Sequence, residues 1–174
     1  ILYTIYFGMT LIQLALLLIG RVPLFDSLCI TFGTAGTGGF GIVNDSLGSY
    51  STYCQVVTTI FMILFGVNFS AYYLILTKKF RQAFKYEEVR YYFGIIAVAI
   101  VIIALNTAHL FRNLLTAFQQ AAFQVGSIIT TTGFSSTDFN QWPALSKTVL
   151  VLLMFVGACA GSTGGGIKVS RILI

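Results

Sequence analysis

Long apolar stretches alternate with short polar breaks along the whole chain. Residues 1–19, 52–77 and 91–108 carry no charged side chain, and residues 146–167 form a fourth apolar stretch that is interrupted by glycines. A helix needs about 20 apolar residues to cross a bilayer. The pattern therefore predicts membrane-spanning helices in the first three stretches and a broken span in the fourth.

A shorter apolar segment follows the first spanning helix of each half. Residues 24–33, with Asp26 or Ser27 as the candidate N-cap, and residues 113–128, with Asn113 as the candidate N-cap, have the features of helices. The first segment is too short to cross a bilayer. We therefore predict that both helices enter the membrane and return on the same side.

Each short helix runs into a segment that is rich in glycine and threonine. The first segment reads Thr34-Ala35-Gly36-Thr37-Gly38-Gly39-Phe40, and the second reads Thr130-Thr131-Thr132-Gly133-Phe134. Such runs are poor helix formers, and irregular backbone at membrane depth is tolerated only inside protein or beside a watery path. Aligning Gly38 with Gly133 superimposes the two segments, which we call the first and second Gly/Thr turns.

The chain thus contains two copies of one unit: a spanning helix, a re-entrant helix, an extended turn and a second spanning helix. The predicted fold class is an all-α membrane protein with two M1–P-loop–M2 repeats of the potassium-channel type and a broken last helix. Residues 1–77 form one repeat, residues 91–174 form the other, and residues 78–90 form a basic loop between them.

Composition and charge support a membrane protein. Of the 174 residues, 57% are hydrophobic and 9% are charged, whereas a soluble domain carries about 25% charged residues. The net charge of +5 does not indicate nucleic-acid binding, because membrane topology explains it. One predicted side holds Lys78, Lys79, Arg81, Lys85, Arg90, Lys168 and Arg171, and the other holds Arg21, Arg112 and Lys147. Basic loops favour the cytoplasm, so we expect the 78–90 loop inside and the Gly/Thr turns facing outside.

Other reactive chemistry is sparse. The three cysteines, Cys29, Cys54 and Cys159, lack the spacing of a metal site. We therefore expect them to be small buried residues in a helix bundle. His109 is the only histidine, and no paired acids lie in the predicted spans, which argues against a membrane enzyme. The chain begins inside an apolar run without a signal-peptide pattern. Both ends have the pattern of interrupted helices, and we expect a fragment.

The Gly/Thr turns have the parts of a potassium filter. Rings of backbone carbonyls replace the hydration water of the ion, glycine permits the backbone angles that aim them, and the C-terminus of a short helix adds negative potential. Close packing of small residues is the alternative explanation. The candidate filter residues are Ala35, Gly36, Thr37, Gly38, Thr130, Thr131, Thr132 and Gly133.

Two nucleotide-binding patterns fit poorly. Residues 36–41 match G-x-G-x-x-G, but they follow a short helix rather than a strand. Residues 161–168 approach a phosphate-binding loop, but Lys168 comes one place late and no Ser or Thr follows it. We therefore reject both a dinucleotide site and a phosphate-binding loop.

A glycine-rich stretch, residues 157–166, interrupts the last apolar segment. Each glycine in a helix costs about 1 kcal/mol relative to alanine, so we predict an irregular segment that lies beneath the second turn and obstructs a conduction path. Three alternatives are open for Lys168: it binds an acidic partner, it repels cations, or it extends to the membrane interface. The candidate gate residues are Gly157, Gly161, Ser162, Thr163, Gly164, Gly165, Gly166 and Lys168.

These motifs resemble the TrkH/TrkG/KtrB superfamily of potassium-translocating subunits, and the TrkH branch more than the KtrB branch. Residues 35–40 and 130–139 resemble its second and third selectivity filters, and residues 157–169 resemble the intramembrane loop of its third repeat. The resemblance covers essentially the whole chain. It implies that residues 1–77 are repeat two and residues 91–174 are repeat three.

The resemblance also implies four repeats around one pore, with Gly38 and Gly133 as the filter glycines and residues 157–166 as the gate. Potassium is then the transported ion, and no other cofactor is implied. The implied partners are repeats one and four of the same protein, a second copy in a homodimer, the lipid bilayer and a cytosolic nucleotide-binding subunit of the TrkA or KtrA type. The implied location is the plasma membrane, which is the inner membrane of a bacterium.

The sequence hypothesis is therefore a channel-like subunit for potassium uptake, driven by a membrane potential that is worth about 2.3 kcal/mol per 100 mV. The alternative is an ion-coupled secondary transporter, a K⁺/Na⁺ or K⁺/H⁺ symporter, that binds its substrate at broken helices in mid-membrane. Obligatory coupling to Na⁺ or H⁺ separates the two.

Overall fold

The computed structural model describes residues 1–78, 86–111 and 113–172, and within these ranges the chain is helical. The helices are α1 (Leu2–Ile19), α2 (Leu24–Ala35), α3 (Thr52–Phe65), α4 (Phe69–Leu76), α5 (Glu87–Thr107), α6 (Leu114–Ile129), α7 (Ala144–Phe155) and α8 (Val169–Ile172), with a 3-10 turn at Phe139–Gln141. The only β-type pairing in the described part of the chain is an isolated bridge between Val156 and Ile167. The all-α prediction is confirmed.

Two of the described helices, α1 and α5, are long and apolar enough to cross a membrane. The bent pair of α3 and α4 adds a third crossing if it is counted as one span. The apolar helices α2, α6 and α7 are shorter. The short helices α2 and α6 occupy the places predicted for re-entrant helices, one in each half of the chain.

The prediction of one continuous span over residues 52–77 is wrong, because α3 and α4 are bent by 92° relative to each other. Gly66 is the C-cap of α3, and Asn68 is the N-cap of α4. The side-chain oxygen of Asn68 accepts a hydrogen bond of 2.8 Å from the backbone N–H of Ser70. Asparagine is common at the start of a helix because its side chain accepts a hydrogen bond from a backbone N–H, and glycine is common at the end of a helix. In the sequence, both signals lie within an uncharged run that has the pattern of one helix.

Helix starts also differ from the predictions. The N-cap of α2 is Pro23 rather than Asp26 or Ser27; Asp26 instead accepts a 2.8 Å hydrogen bond from the Tyr50 hydroxyl. Burial and this carboxylate raise the pKa of Tyr50 to about 12. Asn113 is the N-cap of α6, as predicted.

The first spanning helix of the second half starts earlier than predicted. Helix α5 begins at Glu87, inside the predicted basic loop. Residues 79–85 of that loop, with Lys79, Arg81 and Lys85, and also Arg112, lie outside the described residues.

Two apolar clusters form the core, and α6 connects them. In the first cluster, Leu17 of α1, Ile30 of α2 and Phe65 of α3 pack together with Phe123 of α6. The second cluster joins α5 to the opposite face of α6 and to α7, and its buried members include Tyr92, Ile96, Ile103, Val125, Ile129, Leu150 and Leu153. Both halves are therefore held to one helix that leads directly into the second Gly/Thr turn.

The bend between α3 and α4 packs tightly against α5. The hydroxyl of Tyr92, a fully buried residue, donates a 3.1 Å hydrogen bond to the carbonyl of Ile63 at the end of α3. A Cβ at Gly66 would clash with that hydroxyl and would lie 2.9 Å from Cγ2 of Thr130. The bend therefore has room for glycine alone.

We predict that Gly66→Ala lowers the melting temperature of the detergent-solubilised protein, because the added methyl group overpacks the bend at a cost of about 1–3 kcal/mol. The matched control is Gly94→Ala in α5, where a Cβ meets no atom within 4 Å and alanine favours the helix. Equal melting temperatures for the two variants would contradict this packing.

Candidate functional site

The two Gly/Thr turns have the same backbone conformation. Thr37 and Thr131 have φ values of 50° and 58°, and Gly39 and Gly133 have φ values of 66° and 89°. Residues other than glycine rarely adopt a positive φ, and a β-branched threonine at a positive φ is unusual. The same unusual conformation occurs twice, at corresponding places after α2 and after α6.

Backbone hydrogen bonds give the register of the two turns. The carbonyl of Gly33 accepts from the N–H groups of Gly38 (2.7 Å) and Gly39 (3.4 Å). In the second turn, the carbonyl of Ser127 accepts from Thr132 (2.9 Å) and Gly133 (3.3 Å). The alignment of Gly38 with Gly133 is therefore wrong by one residue.

In the observed register, Gly39 corresponds to Gly133, and Gly38 corresponds to Thr132. The two consecutive glycines of the first turn cannot be distinguished by composition. The phenylalanines that follow, Phe40 and Phe134, were the signal that gives the correct alignment.

Each turn begins at the C-terminal end of a short helix. Helix α2 ends at Ala35, which is fully buried, and α6 ends at Ile129. The negative ends of both helices therefore lie at the start of the turns, which favours a cation there. Within the described ranges, no three His, Cys, Asp or Glu side chains come together as a metal site. The oxygen atoms that the turns offer are carbonyls and threonine hydroxyls.

The two turns lie against each other. A Cβ at Gly39 would clash with the carbonyl oxygen of Thr132 and would lie 2.9 Å from the carbonyl carbon of Gly133. The ring of Phe134, which is 1% exposed, covers Gly33 of α2, so that a Cβ there would lie 2.9 Å from the ring. The carbonyl of Thr132 in one repeat therefore approaches the backbone of the turn in the other.

Polar side chains behind the turns link the two halves. The side-chain oxygen of Gln55 in α3 accepts hydrogen bonds of 3.2 Å from the amides of Gln119 and Gln120 in α6. The Gln120 side chain in turn accepts a 2.5 Å hydrogen bond from Ser136, just beyond the second turn. Leu47, in the loop after the first turn, donates from its N–H to the carbonyl of Ser135 over 2.8 Å.

The glycine-rich segment between α7 and α8 is irregular, as predicted. Helix α7 ends at Phe155, and Gly161 and Gly166 have φ values of 70° and 74°. The base of the segment is closed by a 2.7 Å hydrogen bond from the N–H of Gly157 to the carbonyl of Ile167. The segment therefore forms a loop whose two ends lie side by side, and we call residues 157–168 the broken segment.

The tip of the broken segment contacts both turns through equivalent threonines. The hydroxyl of Thr37 donates a 3.2 Å hydrogen bond to the carbonyl oxygen of Thr163. The N–H of Gly165 donates a 2.7 Å hydrogen bond to the hydroxyl of Thr131. The structure thus brings the predicted filter and gate residues together. The contacts come from Thr37 and Thr131, which occupy the same position in the two turns.

Lys168 does not reach an acidic partner among the described residues, and its ammonium group bends back onto the broken segment. It donates to the carbonyl of Gly164 and lies 3.5 Å from the carbonyl oxygen of Gly165. A positive charge therefore lies on the carbonyls of the broken segment, close to the point where the segment meets the second turn.

The broken segment is also hydrogen-bonded to the bend between α3 and α4. The N–H of Cys159 donates to the carbonyl of Gly66 (3.1 Å), and the N–H of Phe69 donates to the carbonyl of Gly161 (3.1 Å). Sequence reasoning missed this contact because it treated residues 52–77 as continuous helix.

Sequence reasoning also missed Glu88, which it counted only as part of a basic loop. Its carboxylate accepts from the N–H of Ala160 over 2.6 Å. An acidic side chain at the start of an apolar helix was the available signal.

The TrkH family model, described as a cation transport protein, matches residues 1–174. The Trk system potassium uptake protein TrkH of Salmonella typhimurium is 32% identical over 177 residues, which cover 99% of this chain and 37% of that protein. The Trk system potassium uptake protein TrkG of Escherichia coli is 31% identical over 156 residues, covering 88% of this chain and 32% of that protein. The chain thus spans about a third of the length of these relatives.

A solved structure is similar over the same range. The crystal structure of the potassium transporter TrkH from Vibrio parahaemolyticus matches with a TM-score of 0.93 at 31% identity, covering 99% of this chain and 38% of that chain. This agreement confirms the predicted fold class.

We predict that Gly39→Ala destabilises the folded protein by about 1–3 kcal/mol, because the alanine is strained at positive φ and its Cβ clashes with the Thr132 carbonyl. Gly38→Ala is the control, since the atom nearest to its Cβ would be in the Phe40 ring at 3.4 Å, an ordinary contact distance. Melting temperatures of the two variants check the register: a larger loss for Gly38→Ala would favour the original alignment.

Proposed function

Because the chain belongs to the TrkH family of cation transport proteins, we propose that it supplies two of the four walls of a potassium-conducting pore in a membrane subunit for potassium uptake. Residues 1–77 are repeat two of that subunit, and residues 91–174 are repeat three. Repeats one and four of the same protein complete the ring. The members of this family are cation transport proteins and not enzymes.

The observation that carries this proposal is the paired turn. Two short helices end at two turns with one shared backbone conformation, and the turns lie against each other. Coordination of a dehydrated potassium ion requires carbonyls from several such turns around one axis, and we infer that these two turns form two sides of it. In the observed register, the filter consists of residues 36–39 and 130–133, and Gly39 replaces Gly38 as the partner of Gly133.

The broken segment is the gate of this pore. Its tip lies against both turns, where Thr37 and Thr131 bind it, and the Lys168 ammonium adds positive charge nearby. Passage of an ion requires the tip to move away. Each hydrogen bond that is lost costs about 1 kcal/mol net, so release of the tip lies within the range of about 1–3 kcal/mol that a regulatory partner supplies.

The contacts support the orientation expected from charge. The carboxylate of Glu88, at the start of α5, lies 3.3 Å from the N–H of Ser170 in α8, so the described end of the basic loop lies next to the residues that follow the gate. We propose that both face the cytoplasm of a bacterial inner membrane and that the filter opens to the outside. The proposed partners are a second copy of the subunit in a homodimer and a cytosolic nucleotide-binding subunit of the TrkA or KtrA type.

A second candidate function is ion-coupled transport, and one observation favours it. The helix breaks at residues 66–68 and 156–168 face each other in the two repeats, and secondary transporters bind substrate between broken helices.

We expect that potassium flux through the intact protein in liposomes follows the potassium gradient and the membrane potential. Removing the Na⁺ gradient or the H⁺ gradient should leave its rate unchanged. Flux that stops without one of these gradients, or that moves a fixed number of Na⁺ or H⁺ per K⁺, would establish the coupled transporter instead.

We predict that Gly133→Ser lowers the selectivity for K⁺ over Na⁺ by about tenfold, which corresponds to about 1.4 kcal/mol. A Cβ at Gly133 meets no atom within 4 Å, so the side chain fits, but serine resists the φ of 89° and turns the carbonyls. The control is Gly94→Ser, which is equally open and lies in α5. Ion ratios in flux assays that are the same for both variants would contradict the filter assignment.

A further inference from the structure

Glu88 is the one acidic residue of the described chain that is buried, at 9% exposure. It is the second residue of α5, whose first residue, Glu87, is exposed. Burying a carboxylate in apolar surroundings is expensive unless hydrogen bonds compensate for the lost water. The position of Glu88 therefore requires polar partners.

The partners of Glu88 lie on either side of the glycines of the broken segment. One oxygen, Oε1, accepts a 2.6 Å hydrogen bond from the N–H of Ala160 and a 3.3 Å hydrogen bond from the N–H of Ser170. These two amides flank the stretch that contains the four glycines 161 and 164–166. One carboxylate thus binds the chain one residue before the first of these glycines and four residues after the last.

The hydrogen bonds of Glu88, which we call the Glu88 clasp, and the contacts of the tip lie at opposite ends of the same loop. At the base are Glu88 and the hydrogen bond from Gly157 to Ile167, and at the tip are Thr37 and Thr131. A glycine-rich loop has many accessible conformations, and besides the tip contacts this loop is restrained by the hydrogen bonds of Cys159 and Gly161 to the bend between α3 and α4. Fixing the base limits where the tip can lie.

We propose that Glu88 is a positioning residue that holds the broken segment in its obstructing position beneath the two turns. This inference rests on the proposed pore and adds the group that sets the resting position of its gate. Hydrogen bonds to a charged group are about twice as strong as those between neutral groups. Loss of the charge therefore weakens the clasp, and loss of the side chain removes it.

The experiment compares Glu88→Gln and Glu88→Ala with Glu87→Gln and Glu87→Ala in the intact protein. The Glu87 variants remove the same charge from the neighbouring, exposed position. We expect the basal potassium flux to rise several-fold, with the largest rise in Glu88→Ala and a smaller rise in Glu88→Gln. The K⁺/Na⁺ ratio should stay unaltered because the filter is intact. The Glu87 variants should conduct like the unchanged protein.

A second readout uses Cys159, which is fully buried beside Ala160. In a background where Cys159 is the only cysteine, its labelling by a membrane-permeant maleimide reports release of the broken segment. We expect several-fold faster labelling in the Glu88 variants and no change in the Glu87 variants. If Glu88→Ala does not fold, Glu88→Gln still carries both measurements, and retained ion selectivity excludes general unfolding as the cause.

The proposal is overturned if the Glu88 variants match the Glu87 variants in labelling, or if potassium flux falls rather than rises. Absence of potassium flux in the unchanged protein would count against the proposed pore instead. In that case, the labelling of Cys159 alone decides whether Glu88 holds the segment.

Discussion

Backbone groups inside a bilayer must find hydrogen-bond partners in the protein, and this constraint shapes the whole structure. Each repeat has a break in its second spanning region, and each break exposes amides and carbonyls. The two breaks satisfy each other: Gly66 accepts from Cys159, and Gly161 accepts from Phe69. Neither break is stable by itself, so the two repeats depend on each other at the level of single hydrogen bonds.

The hydrogen bonds of the broken segment also explain how a filter and a gate can be one unit. Thr37 and Thr131 stand in strained, left-handed backbone, and their hydroxyls bind the segment below. Strain of this kind persists where surrounding structure holds it. In the proposed pore, the contact that obstructs the path therefore also supports the conformation of the turns, and a change in one alters the other.

Local chemistry made much of the fold predictable. Uncharged runs located α1 and α5, Asn113 marked the start of α6, and the glycines after Phe155 ended α7. The bend at Gly66 was missed because its helix-end signals lie in an uninterrupted apolar run. Glu88 was missed because its partner Ala160 is 72 residues away, and the register of Gly39 required backbone hydrogen bonds. Contacts between distant segments leave little trace in local composition.

One packing detail has a consequence for symmetry. Phe134 of the second turn covers Gly33 on the short helix of the preceding repeat, while the corresponding Phe40 is 84% exposed. The contact is heterologous: one repeat provides the knob and its neighbour provides the hole. Head-to-tail contacts of this type generate a closed ring when the rotation between units divides a full circle. In the proposed ring of four repeats, a quarter turn for each repeat closes the ring, and Phe40 then has a neighbouring repeat to cover. A polypeptide of that kind makes within one chain the assembly that other proteins make from identical subunits.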